Sequence, residues 1–212
     1  MTTRGKQRLL KVGVFGCCFM PLLILASQAL TDSLGANPID EITDQTGIWT
    51  LRFLLITLAV TPARRLTGWN RLIQLRRMLG LFAFFYASLH FLTYIWLDQF
   101  FIVEDILVDV LERPFITVGL ASFALLIPLA ATSTTAMIKR LGGKWWQRLH
   151  RLVYAIALGG VVHYLWLVKA DTRQPLLYGS ILGVLLAYRL WDGFGRRLLG
   201  SLTLPHKTAP GG

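Results

Sequence analysis

Three of the four histidines in this 212-residue chain, His90, His150 and His163, fall in or at the edge of long apolar runs. The fourth, His206, lies in a polar stretch with Pro and Gly, Pro205–Gly212, which is expected to fray. An ionisable residue within an apolar span marks a functional candidate by default. A lone membrane histidine often does no more than hydrogen-bond and pack, but two at one depth on different helices are harder to assign to packing. His90 lies 13 residues beyond Arg77, and His163 lies 13 residues beyond His150. At 1.5 Å per residue both offsets come to about 20 Å. The pair is therefore expected at one level of a helical bundle, where two neutral imidazoles facing each other can ligate haem iron axially.

The neighbours admit two readings. Ala83 and Ala87 precede His90 on its face of the helix, and Gly159 and Gly160 precede His163. Small residues there are expected to let a flat porphyrin lie against the backbone, which is favoured over their other use, close helix packing. Tyr86, Tyr94, Tyr164 and Trp166 could hydrogen-bond propionates or anchor at the membrane interface. His150 stands apart, among Trp145, Trp146, Gln147, Arg148 and Arg151. Its depth on the other histidine-bearing helix is occupied by Arg76 and Arg77 rather than by a partner imidazole. Three roles stay open: a second haem with an unusual partner, a quinone or flavin head group, or an interfacial hydrogen bond. Arginine suits an anionic flavin phosphate or haem propionate. Thirteen residues turn an ideal helix by about 220°, so His150 and His163 share a face only if the helix is distorted, which Gly159–Gly160 would permit.

These residues need elements to position them. The chain is 54% apolar and 16% charged, against about 45–50% and about 25% for soluble domains. That excludes an ordinary soluble domain, and disorder with it. The two cysteines, Cys17 and Cys18, are adjacent, so they staple nothing and read as small packing residues. A bilayer core of about 30 Å needs about 20 apolar helical residues. Spans are expected from Val12 to Thr31, Gly47 to Ala63, Met78 to Leu97, Pro114 to Thr132, Trp146 to Lys169 and Pro175 to Trp191. The fold class is all-α, a polytopic membrane bundle of six transmembrane helices. Its parts are a basic N-terminus (1–11), the helical domain (12–191) and a C-terminal tail (192–212). The basic start and Ser27-Gln28-Ala29 resemble a cleavable signal, but the uncharged run is longer than a usual h-region, so the first span is kept as a helix.

The net charge of +11 could point to nucleic acid. Its placement says otherwise. With the N-terminus cytoplasmic, 18 of the 22 Lys and Arg fall on the inner side, and 10 of the 11 Asp and Glu fall outside. This is the positive-inside pattern, and it sets both termini in the cytoplasm. The outer segment Asp98–Arg113 reads as a short amphipathic helix, with Val103, Ile106, Leu107, Val110 and Leu111 on one face and Glu104, Asp105, Asp109 and Glu112 mainly opposite. It is either a docking ridge for a soluble partner or a closure for the bundle. There is no P-loop, Cys-x-x-Cys, Gly-x-Gly-x-x-Gly or readable Ser–His–Asp set.

An ordered set of short motifs carries a resemblance: Leu34-Gly35-Ala36-Asn37-Pro38-Ile39, Arg76-Arg77-Met78-Leu79-Gly80-Leu81, Leu89-His90, Thr132-Ser133-Thr134, Trp146-Gln147-Arg148-Leu149-His150 and His163-Tyr164-Leu165-Trp166. Together, from about residue 9 to 195, they resemble the MsrQ (YedZ) family, in the ferric-reductase-like transmembrane group that includes NADPH oxidases. The resemblance implies a bacterial inner-membrane b-type cytochrome with haem b and FMN. It implies electron delivery to MsrP, a periplasmic molybdopterin methionine sulfoxide reductase, from the quinone pool or a cytosolic flavin reductase. The family's three membrane histidines map onto His90, His150 and His163, whereas NADPH oxidases carry two histidine pairs. The rival expectations are a stand-alone transmembrane ferric or metal reductase, and a haem-free transporter or scaffold.

Overall fold

The computed structural model describes residues 3–202, and within them the side chains of residues 5 and 7–193. His206, Lys207 and the tail Pro205–Gly212 lie outside the described residues, as do the side chains of Arg4, Lys6, Arg196 and Arg197. The elements are α1 (Thr3–Leu30), α2 (Pro38–Thr67), a 3-10 turn (Asn70–Gln74), α3 (Arg76–Thr93) continuing into a π turn (Tyr94–Asp98), α4 (Val103–Glu112), α5 (Pro114–Ala131), α6 (Thr135–Leu141), α7 (Gly143–His150), α8 (Leu152–Leu167) and α9 (Arg173–Leu202). Helices and turns account for all secondary structure among the described residues. Among the described residues, four helical stretches are long and apolar enough to cross a membrane: Gln7–Leu30, Pro38–Thr67, Arg76–Asp98 and Pro114–Ala131. α8 and α9 overlap the stretches expected as the fifth and sixth spans but are not among these four.

Local chemistry explains the boundaries. Pro38 and Pro114 open α2 and α5 at the first turn, where a missing N–H costs nothing. Gly68 closes α2 in the left-handed region at φ 68°. Thr134 caps α6 by accepting the Met137 amide at 3.2 Å. α1 begins at Thr3, within the basic segment 1–11. α9 likewise runs past Trp191 to Leu202. The distortion between His150 and His163 is a tight turn at Arg151, whose amide bonds to Arg148 O at 3.2 Å while Tyr154 N bonds to Arg151 O at 3.1 Å. Gly159 and Gly160 stay helical within α8.

Two antiparallel helix pairs hold the core. α2 runs against α3, with Thr43 beside His90 at one end and Thr57 beside Gly80 further along. α5 runs against α8, with Phe115 beside His163, Ser122 beside Gly159, and Thr132 beside His150 just beyond both helices. α1 joins through aromatic rings: Phe19 meets Phe82 edge-on at 5.2 Å, and Phe82 stacks on Phe53 at 5.7 Å. Tyr86, 1% exposed, locks this contact. Its hydroxyl donates to Cys18 O at 2.9 Å and accepts from Leu22 N at 3.2 Å, inserting a side chain into the α1 backbone ladder. Tyr86 is thus a strut to α1, neither a propionate partner nor an interfacial anchor. Cys18 is buried and Cys17 exposed.

The surface segment differs from its expected face. Asp109 is the buried side chain of α4, held by Gln99 Nε2 at 2.8 Å, Tyr94 Oη at 3.3 Å and Arg113 Nε at 3.2 Å. Val103, Leu107 and Leu111 are exposed, Leu111 by 84%. A carboxylate that three donors can reach is held inward more firmly than an apolar side chain with no wall to pack on.

Candidate functional site

His90 on α3 and His163 on α8 face each other with ring centroids 6.0 Å apart and planes at 79°. Each ring is held the same way. His90 Nδ1 donates to the carbonyl of Thr43 on α2 at 2.9 Å, and His163 Nδ1 donates to the carbonyl of Phe115 on α5 at 2.7 Å. A carbonyl only accepts, so each Nδ1 carries the proton and each Nε2 keeps its lone pair. A main-chain carbonyl on the far nitrogen is the usual support for a metal-binding imidazole.

The donor set selects among metals. Zinc in protein sites takes at least three protein ligands, and no group of three or more His, Cys, Asp or Glu converges among the described residues. Two imidazoles suit an iron whose four remaining positions belong to a macrocycle. Metal–imidazole bonds of about 2.0–2.1 Å put the two nitrogens roughly 4 Å apart, which centroids at 6.0 Å can match. The residues present therefore fit a bis-histidine haem.

The small residues near the histidines divide. Ala83 is fully buried, and Ala87 is buried at the same face. A Cβ on Gly159 would come 2.2 Å from Ser122 Oγ, and one on Gly160 would lie 3.5 Å from Leu51 Cδ1. These glycines serve close packing of α8 on α5 and α2. Tyr94 bonds to Asp109, Tyr164 packs near Tyr178 at 6.3 Å, and Trp166 is exposed. Two other glycines meet the imidazoles directly. Gly47 on α2 faces His90, and Gly119 on α5 faces His163. Neither shows in the residues flanking the histidines, because both glycines lie on the facing helices. A Gly in the helix that must flank each histidine was the available signal.

At the basic end, His150 has no second imidazole; the other described histidines, His90 and His163, pair with each other. Trp146 stacks on its ring at 4.0 Å, and its Nε2 is 3.1 Å from Thr132 Oγ1. Trp146 Nε1 donates to Thr132 O at 2.9 Å, closing a small ring of contacts. Arg76 is within electrostatic reach of His150, Arg189 and Tyr154. Arg77 turns away, into a groove with Lys11 and Phe15. Arg189 also escaped sequence reading: it donates to Tyr154 Oη at 2.7 Å and to Leu58 O at 2.9 Å, and its buried Nε meets no acceptor among the described residues. Beside it a cavity of about 290 Å³ is lined by Arg65, Arg151, Arg189, Tyr154 and Asp192, with Arg65 paired to Asp192. Arg52, inside α2, donates to Tyr178 Oη at 2.9 Å and lies over the Trp49 ring at 4.6 Å, a pairing that lowers the cost of a cation within an apolar span.

A helical membrane bundle with a facing histidine pair defines a class, and the comparisons name it. Residues 46–161 match the family model described as ferric reductase like transmembrane component. The chain is 58% identical over 191 residues to the protein-methionine-sulfoxide reductase heme-binding subunit MsrQ of Herminiimonas arsenicoxydans, covering 89% of this chain and 88% of that one. The MsrQ proteins of Azospira oryzae and Rhodospirillum rubrum are 54% and 51% identical, covering 85% and 93% of this chain and 78% and 95% of theirs. The chain belongs to the MsrQ family of the ferric-reductase-like transmembrane group.

Proposed function

We propose that this chain is a b-type cytochrome subunit that carries electrons across a bacterial inner membrane to an MsrP-like periplasmic molybdopterin enzyme, which reduces methionine sulfoxide in oxidised proteins. The observation that carries the reading is the facing pair His90 and His163, each with Nδ1 on a helix carbonyl. The relatives' name as heme-binding subunits supports it. A haem b held there supplies one-electron redox chemistry. The protein's part is to keep both Nε2 atoms deprotonated and aligned, with both rings half-buried between the helices. His90 and His163 would together hold such a haem from both sides, and the group would then supply electron transfer rather than substrate chemistry. Methionine sulfoxide is therefore reduced on the partner.

Six helices span the membrane, with both termini cytoplasmic. The support is the division of charge, with Arg64, Arg65, Arg76 and Arg151 at one end and Asp40, Glu41, Asp98 and Glu104 at the other. His90 and His163 then lie toward the periplasm, near the acceptor. The inner end must receive electrons from the quinone pool or a flavin reductase. His150, Arg76 and Arg189 offer a cationic, hydrogen-bonding site there, of a kind that suits an anionic group such as the FMN phosphate. Arg77 faces away from it.

A reduced-minus-oxidised spectrum with pyridine haemochrome quantification tests this on purified protein and the His150→Ala variant. One b-type haem per chain, retained in the variant, is the expected result. No haem in the wild type overturns the cytochrome reading and promotes the scaffold or transporter. Reduction of ferric chelates without coupling to the partner would favour a stand-alone metal reductase.

A further inference from the structure

The two histidines are held by matching devices on different helices. In an α-helix the carbonyl of residue i points to the amide of residue i+4. A side chain at i+4 leans toward the N-terminus and covers the turn that contains this carbonyl. On α2 the carbonyl taken by His90 is Thr43, and the residue four on is Gly47. On α5 the carbonyl taken by His163 is Phe115, and the residue four on is Gly119. Both glycines lie under the ring itself. A Cβ on Gly47 would come 3.0 Å from His90 Cε1 and 3.1 Å from Nδ1. A Cβ on Gly119 would come 2.7 Å from His163 Nδ1 and 2.9 Å from Cε1. Most other glycines in the described helices have no such conflict; Gly183 on α9 meets nothing within 4 Å.

We propose that Gly47 and Gly119 are positioning residues for the two imidazoles: each uncovers the carbonyl one turn before it, so that this carbonyl takes the Nδ1 proton of the facing histidine and leaves Nε2 as the metal-binding nitrogen. The inference rests on the reading of His90 and His163 as haem ligands. Its physical content is electronic as well as steric. A carbonyl on Nδ1–H makes the imidazole more basic, and a more basic axial ligand favours ferric over ferrous iron. Any bulk at either glycine pushes the ring off its carbonyl. The haem potential should then rise and the ligand field should change. Glycines that only let helices pack would move neither.

The test uses purified full-length protein: wild type, Gly47→Ala, Gly119→Ala, Gly183→Ala, His90→Ala and His163→Ala. Haem content, the low-temperature EPR spectrum of the oxidised form and the midpoint potential are read for each. Gly183→Ala should match wild type. Gly47→Ala, with the milder contact, should keep its haem but show shifted low-spin g values and a higher potential. Gly119→Ala should lose at least half its haem. If Gly119→Ala aggregates, Gly47→Ala decides alone. Wild-type EPR and potential in the glycine variants, while both histidine variants lose haem, would overturn the inference and leave the ligand reading standing. Haem retained in both histidine variants would instead remove the ligand reading, and the inference with it.

Discussion

The two ends of the bundle treat histidine differently. At the acidic end, two rings from different helix pairs approach to 6.0 Å, and each Nδ1 is committed to a main-chain carbonyl. At the basic end, one ring is stacked on Trp146, its Nε2 is engaged by the Thr132 hydroxyl, and Arg76 is the charged group within reach of it. The first arrangement frees nitrogen lone pairs for a metal; the second occupies the ring and surrounds it with donors. One chain thus presents a facing imidazole pair at one end and a cation-rich, hydrogen-bonding cluster at the other. Residue type alone does not assign a histidine to iron; what its other nitrogen touches does.

The hardest break of this contrast is at the pair itself. His90→Ala or His163→Ala should abolish most haem absorbance, whereas His150→Ala should leave it largely intact, as read by pyridine haemochrome. Next comes the packing that brings the pair together. Gly159→Ala drives a methyl into Ser122 Oγ, which is bonded to Val118 O at 2.8 Å. Overpacking of this kind costs about 1–3 kcal/mol, so the variant should melt earlier in detergent. Ser122→Ala should restore it, because the nearest remaining Ser122 atom, Cβ, lies at 3.6 Å.

At the basic end, Thr132→Val removes the hydroxyl from His150 while keeping the shape. Losing one such bond costs on the order of 1 kcal/mol, and haem content should be unchanged. Slower reduction from the donor side would sharpen the contrast, and loss of haem would erase it. The smallest effect is expected in the loop before α9. Arg173 holds the exposed Asp171 carboxyl below its usual range, through hydrogen bonds at 2.8 and 2.9 Å. The lowered folded value means the contact's small contribution is present above the unfolded carboxylate range and is lost as pH falls through the folded value. Carboxyl NMR titration should find the midpoint below that of an unpaired aspartate and return it toward the ordinary range in Arg173→Gln, with haem unaffected.

How much of this was legible beforehand depends on the scale. The helix start at Pro114, and the shared depth of His90 and His163, followed from residue type and from 1.5 Å of rise per residue, whereas α2 begins at Pro38, nine residues before the expected start at Gly47. The break at Arg151 did not follow either, because a single tight turn leaves the apolar pattern intact. The inward turn of Asp109 was hidden as well. Periodicity places acids on the wet face of a helix, and only the converging Gln99, Tyr94 and Arg113 reverse that. Ala83, Ala87, Gly159 and Gly160 read from the sequence as porphyrin surface more readily than as packing, and Ser122 reverses that for Gly159.

By itself the sequence determined an all-helical, membrane-type chain, its charge asymmetry and the histidines worth attention. Those properties are written in composition and in one-dimensional spacing. Tertiary structure alone decided that Gly47 and Gly119 sit under the imidazoles, that Thr43 and Phe115 lend their carbonyls, and that Arg76 and Arg77 part company. Each is a relation between helices, fixed by which faces meet when two antiparallel pairs pack, and no spacing along a single helix encodes it.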